Sequence, residues 1–187
     1  MYRYMLSPFF AAMAAVTVVT ARPTVYFIRH GEKPKDGGTG LSADGLERAQ
    51  CIRSVFIRNP LYNVKVRVLT ARHHADGKRA RPYETVKLLA SDLSLEVDIS
   101  CQRNDYKCVT DAIEGYHGEG NILICWEHHR MTHIIEDLGD HDAPVYPDDR
   151  FDLIWSDPSP YNKISDETSE RCPGLDNYSD LFVFQEI

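Results

Sequence analysis

Hydrophobic residues fall into short runs that alternate with helical-period segments. Residues 24–28, TVYFI, form a β-rich apolar run that stops at Arg29-His30-Gly31. In GLSADGLERAQCIRSVF, Leu46, Ala49, Ile52 and Phe56 recur at helical spacing, behind Ser42 as N-cap and Asp44 in the first turn. Asn59-Pro60 ends that helix. Residues 64–69, VKVRVL, read as a strand, and RPYETVKLLA reads as a helix with Pro82 in its first turn. A short strand in SLEVDI and a helix in YKCVTDAIEGY follow. Residues 121–126, NILICW, are apolar throughout, as a central parallel strand requires. Met131, Ile134, Ile135 and Leu138 then lie at i, i+3, i+4 and i+7, an amphipathic helix. Late strands are expected in FDLIW (151–155) and LFVF (181–184), with surface loop between them. The alternation predicts βαβ units: an α/β, three-layer α/β/α sandwich around a mostly parallel central sheet.

Length places this pattern in one domain, since 187 residues fit a single core. The apolar stretch LSPFFAAMAAVTVV, behind one positive charge and ahead of VTA, reads as a secretory signal peptide over residues 1–21. It is too short and too poorly flanked for a transmembrane helix. The domain is then 22–187, with a loop-rich C-terminal segment 139–187, and the expected location is secreted. Removing Arg3 leaves 20 basic against 28 acidic residues. That balance argues against nucleic-acid or anionic-membrane partners. Five cysteines suit an oxidising compartment. Cys101 and Cys108 bracket a short polar loop and could close a disulfide; Cys51 and Cys172 have weaker support; Cys125, inside an apolar run, reads as a buried free thiol. Asn177-Tyr178-Ser179 is a glycosylation sequon.

Ligands of such sheets bind beyond the C-terminal ends of strands. There the chain concentrates charge. The first strand ends in Arg29-His30-Gly31-Glu32, the central strand ends in Trp126-Glu127-His128-His129, and Arg81 opens a helix between them. Guanidinium forks match phosphate oxygens. A neutral imidazole among them can attack phosphorus, and a second can favour the charge that develops on the transferring oxygens. Zinc is the rival reading of His129 and His133, four residues apart. With Met131, Ile134 and Ile135 setting the apolar face, both histidines point to solvent, no third ligand has a recognised spacing, and HExxH is absent. His73, His74, His117 and His141 read as surface or loop residues.

TVYFIRHGEKP, GLSADGLERAQ, RPYET and NILICWEHH resemble, in order, the motifs of the histidine phosphatase superfamily, also called phosphoglycerate mutase-like. The resemblance runs from about Thr24 to Leu138 and is closest to small fungal secreted-type members. It implies a metal-independent phosphoric monoester hydrolase without a cofactor, acting on a small phosphorylated substrate. His30 would be the nucleophile that forms a phosphohistidine, Arg29 and Arg81 would hold the phosphate oxygens, His128 would be the second histidine, and Glu32 would set the hydrogen bonding or charge of His30. The chain departs from the family at two places. His129 stands where one branch has the aspartate proton donor, leaving Glu127, Asp105 and Glu84 as candidates, with Glu96, Asp111 and Glu114 also in the region. The usual SPxxRAxxTA is replaced by TARHHADGKRARPYET, where the threonine spacing favours Arg81 over Arg79. Arg72, Lys78 and Arg79 are either solvated loop charge or a grip on an acidic substrate. The alternatives are a phosphomutase, which the short chain disfavours by leaving little room for a capping insertion, and a catalytically weak secreted protein that binds phosphorylated ligands. A metal-binding or interaction protein on the same fold is a further reading.

Overall fold

The first strand, β1 (Val25–Arg29), is buried along its whole length. Alternate side chains enter opposite layers, as a pleated strand requires. Val25 and Phe27 join one core, while Tyr26 and Ile28 join the other. These relations come from a computed structural model, which describes residues 22–176. The signal peptide, the sequon at 177–179 and the expected strand at 181–184 lie outside the described residues.

The remaining elements are α1 (Ala43–Arg58), β2 (Val64–Thr70), α2 (Arg81–Asp92), β3 (Val97–Asp98), α3 (Tyr106–Glu114), β4 (Asn121–Trp126), α4 (His128–Leu138), β5 (Leu153–Asp157) and β6 (Asp166–Ser169). The sheet order is β3-β2-β4-β1-β5-β6. β3, β2, β4 and β1 are parallel, whereas β5 runs antiparallel to β1, and β6 to β5. The three-layer, mostly parallel sandwich expected from the pattern is therefore observed. Ile52 and Phe56 of α1 and Val86 and Leu89 of α2 cover one sheet face. Val109 and Ile113 of α3 and Met131, Ile134 and Ile135 of α4 cover the other.

Two details differ from the sequence pattern. Leu46, expected on the inner face of α1, is 57% exposed, and Arg48 is buried in its stead. The inward stripe runs through Gly45, Arg48, Ala49, Ile52 and Phe56, and Arg48 on that stripe meets the carboxylates of Glu32, Glu170 and Asp176. The segment between residues 155 and 181 is also not all loop. Asp166–Ser169 forms the edge strand β6, whose polar side chains carry no hydrophobic alternation that would announce it.

Both suspected disulfides form: Cys101–Cys108 and Cys51–Cys172, the latter tying α1 to the chain beyond β6. Cys125 is a buried free thiol. No helix among the described residues is long and apolar enough to cross a membrane.

Candidate active site

β1 and β4 lie side by side in register, with Arg29 opposite Trp126, so their C-terminal ends emerge together. His30 follows the first and His128 the second. The His30 backbone N–H donates to Trp126 O at 3.2 Å, extending the pairing one step beyond the strand. The loop after His30 is pressed against the start of α1, where a Cβ on Gly45 would lie 2.5 Å from Glu32 O. Glycine is the residue that admits this approach. The threonine of RPYET has a physical role as well. Thr85 Oγ1 donates to Arg81 O one turn back and accepts from Gly31 N–H at 2.9 Å, fastening α2 to the loop that follows His30.

Arg29, His30, Arg81 and His128 line one cavity of about 300 Å³, together with Lys33, Arg79, Arg103, Glu127 and His129. Five of these side chains are cationic arginines or lysine and one is a carboxylate. Two helices begin at the cavity, α2 and α4, and neither has a side-chain N-cap hydrogen bond. Their first turns add uncapped N–H groups and positive helix-end potential to a site already rich in positive charge.

His30 is 6% exposed. Its Nδ1 lies 2.7 Å from Gly31 O. A carbonyl oxygen can only accept, so Nδ1 carries the proton and Nε2 keeps its lone pair. Burial, then the nearby charges of Arg29, Arg81 and His128, lower its pKa from 6.5 to about 4 against the opposing effect of the Gly31 bond. The imidazole is thus neutral across the ordinary pH range.

Arg29 Nη1 donates to Pro147 O (3.3 Å), Asp148 O (2.8 Å) and Arg150 O (2.6 Å), and its guanidinium carbon sits 3.7 Å from the Phe151 ring centroid. Arg29 Nε is buried without a hydrogen-bond partner among the described residues. Arg81 donates from Nε to Gly40 O and from Nη2 to Gly38 O. Both guanidinium groups are held by backbone carbonyls on one side, which fixes their planes and leaves further N–H groups for a ligand. Arg79 has a left-handed backbone, φ 62°, and makes no ion pair among the described residues.

The acidic candidates separate clearly. Glu127 is at the cavity, with Oε2 3.0 Å from Arg103 Nε and 3.7 Å from Arg130 Nε. Glu84 accepts from Leu41 N–H, and Asp105 caps α3 by accepting from Cys108 N–H; neither lines the cavity. Glu32 is also turned away. Its carboxylate accepts from Arg48 Nε and Nη2, in a buried group with Glu170 and Asp176, rather than meeting His30. The reason is electrostatic: Arg48 is inaccessible to water and needs carboxylates as partners. Burial raises the Glu170 pKa to about 8 even with Arg48 beside it.

One acid that the sequence did not single out reaches the site. Asp148, in the chain after α4, lies with Oδ1 3.0 Å from His128 Nε2 and 3.7 Å from His129 Nδ1. No spacing rule links residue 148 to residue 128; only its richness in Pro and Asp marks the segment. His129 and His133 are well exposed, as the helix pattern predicted.

Donor atoms of Glu127, His128 and His129 lie close enough together to hold a metal ion. Arg29, Arg81, Arg103 and Arg130 crowd the same place, and their charge favours an anion over a cation there. In a second such group, Glu170, Cys172 and Asp176, Cys172 is in a disulfide.

No protein-family model matches the chain, and no curated protein does. Among solved structures, the chain is similar to a protein of Agrobacterium tumefaciens assigned as the phosphohistidine phosphatase SixA. The TM-score is 0.53 at 14% identity, over 79% of this chain and 98% of that one. A protein of Nakamurella multipartitia with the same assignment aligns at a TM-score of 0.44 and 12% identity, over 72% of this chain and 84% of that one, too low to add to the argument. The fold of this chain is that of the SixA, phosphoglycerate mutase-like proteins, as its motifs led one to expect.

Proposed function

We propose that this protein is a metal-independent phosphohydrolase that cleaves a phosphate monoester or phosphoramidate through a phosphohistidine on His30. The observation that carries this reading is the neutral His30, with its Nε2 lone pair free, in a cavity ringed by Arg29, Arg81, His128 and two uncapped helix ends. The guanidinium groups supply the positive charge that the transferring phosphoryl group needs.

The reaction has two displacements. His30 Nε2 attacks phosphorus in line, the N–P bond forms, and the bond to the leaving group breaks with its electron pair going to the leaving atom. Arg29 and Arg81 hold the phosphoryl oxygens. Water then attacks phosphorus from the vacated side, the N–P bond breaks, and inorganic phosphate leaves. Hydrolysis ranks above phosphoryl return because the loops at the cavity, residues 30–42 and 71–80, carry no strand or helix that would seal it. The substrate is a small phosphorylated molecule. Two disulfides and the apolar N-terminal stretch support secretion after removal of residues 1–21.

The test is turnover of a panel of phosphate monoesters and phosphoramidates, with acid quenching to trap acid-labile phosphoenzyme. His30→Ala is expected to abolish both turnover and trapping. Full activity in that variant refutes the mechanism. Vanadate binding without turnover by the native protein would favour a phospho-ligand-binding protein instead.

A further inference from the structure

The reaction above still needs a proton for the leaving group. The acids suggested by sequence do not provide it simply: Glu84 and Asp105 are elsewhere, and Glu127 is ion-paired to Arg103 and Arg130. Three other observations converge on His128. Its Nε2 is 3.0 Å from the Asp148 carboxylate, which can only accept, so Nε2 carries a proton. Its Nδ1 is buried and has no hydrogen-bond partner among the described residues, and His128 lines the cavity. A buried ring nitrogen without a partner, on a residue that lines the cavity, is open to a hydrogen bond with a ligand there. Finally, the backbone that carries Asp148 is anchored: Arg29 Nη1 grips three carbonyls of residues 147–150 and stacks on Phe151. Asp148 is thus held against His128 although its own side chain is 80% exposed.

We infer that Asp148 is the positioning residue for His128, and that the Asp148–His128 pair donates the leaving-group proton, which brings phosphate monoesters of aliphatic alcohols within the protein's range. The inference rests on the phosphohistidine reading. In the first displacement, the P–O bond breaks and its electron pair stays on the alcohol oxygen. His128 enters this step as the imidazolium, protonated on both ring nitrogens, and the oxygen takes the proton from its Nδ1 and leaves as the neutral alcohol. In the second, the attacking water gives a proton to the now neutral Nδ1, and the electron pair of the N–P bond returns to His30 Nε2. His128 ends as it began, and Asp148 exchanges no proton in the cycle. The arrangement resembles any imidazole oriented by a carboxylate, where the carboxylate sets the proton's position and favours the cation.

The charges facing His128 come from several elements. Arg29 and His30 approach from β1 and its end, and Glu127 and His129 flank it, the His129 ring centroid at 3.8 Å. Asp148 and Tyr146 come from the following segment. Burial, Arg29 and His129 lower the His128 pKa, and Asp148 opposes them. Removing the Asp148 charge should therefore lose the imidazolium at lower pH.

The experiment compares native protein, Asp148→Asn and Asp148→Glu on ethyl phosphate and on 4-nitrophenyl phosphate, whose leaving group needs little protonation. Asp148→Asn should lose roughly 100-fold in kcat on the ethyl ester, the low end of general-acid contributions, and less than about 3-fold on the nitrophenyl ester. Its basic pH limb should move to lower pH, and Asp148→Glu should recover part of the ethyl ester rate. Equal losses on both esters overturn the inference, as does an unshifted pH profile. Nitrogen-15 NMR of His128 gives a readout that does not depend on turnover. In its neutral form the native ring should keep its proton on Nε2, and the imidazolium should persist to higher pH than in Asp148→Asn; identical titrations overturn the pairing. Failure of the phosphohistidine reading is recognised separately, by His30→Ala retaining activity on both esters. If the native protein turns over neither ester, the proton-delivery role falls even where the NMR shift is seen.

Discussion

A buried histidine kept neutral should destabilise the fold in acid, and His30→Gln measures that cost. In the folded chain His30 titrates near 4, against 6.5 for an unperturbed ring. The sign follows from proton uptake. Between these values the unfolded chain binds the proton and the folded chain does not, so stability falls as pH drops from about 6.5 to about 4. Integrating the difference gives about 2.5 kcal/mol at about pH 4.5 and under about 0.1 kcal/mol at about pH 7.5. Gln cannot take up the proton and so removes this pH-dependent cost. It also forfeits the bond to Gly31 O, about 1 kcal/mol, equally at both pH values. The variant is thus expected to be about 1 kcal/mol less stable than native near neutrality and 1–2 kcal/mol more stable at about pH 4.5. Urea unfolding followed by tryptophan fluorescence at the two pH values reads the crossover directly. By the size scaling of domains near this length, the relative Tm should move by about 5–10 °C between them. A native-to-variant difference that is the same at both pH values would refute the argument, because it would mean that His30 titrates alike in the folded and unfolded chains. In the native protein the acid limb of kcat/KM should correspondingly lie near pH 4, not 6.5.

Arg81→Ala should lower kcat/KM by about 2–4 kcal/mol of transition-state stabilisation, and Arg79→Ala by well under 1, because Arg81 is fixed by the Gly38 and Gly40 carbonyls and Arg79 by none; equal small effects in steady-state kinetics would remove Arg81 from the clamp. Asp157 is fully buried on β5 with neither carboxylate oxygen hydrogen-bonded among the described residues, and burial, then Asp140, raises its pKa to about 7. Its folded pKa lies above the unfolded one, so the cost grows from about pH 4 to about pH 7; Asp157→Asn should stabilise by about 2–4 kcal/mol at neutrality and by little near pH 4, measured by denaturant midpoints. Removing Cys51–Cys172, which spans 121 residues, should cost about 5 kcal/mol on the chain-entropy model, against about 2.5 for Cys101–Cys108, which spans 7; paired Cys→Ala variants in thermal melts check the order, and a larger loss from the short loop contradicts it.

The elements that bury continuous or periodic apolar surface were readable from the chain, and these are the ones that build the layers. NILICW became β4, and Met131, Ile134, Ile135 and Leu138 became the inner face of α4, because hydrophobic period is a local property that survives folding. The motifs at the ends of β1 and β4 and at the start of α2 foretold that His30, His128, Arg29 and Arg81 would share one rim, since parallel strands carry their C-terminal ends to the same edge. Tertiary structure alone decided where the charges went. Nothing in the hydrophobic pattern marks Arg48 as buried; inside the fold its guanidinium gathers Glu32, Glu170 and Asp176, the last two more than 120 residues on, and Glu32 is turned away from His30. β6 has a polar sequence because it is an edge strand held by backbone pairing to β5, which no side-chain pattern records. Asp148 reaches His128 from a segment whose carbonyls at 147, 148 and 150 are held by Arg29, more than a hundred residues earlier in the chain. Local periodicity reports which face is buried; the partner of a buried charge is set by chain closure over long separations, and that is information a linear pattern does not hold.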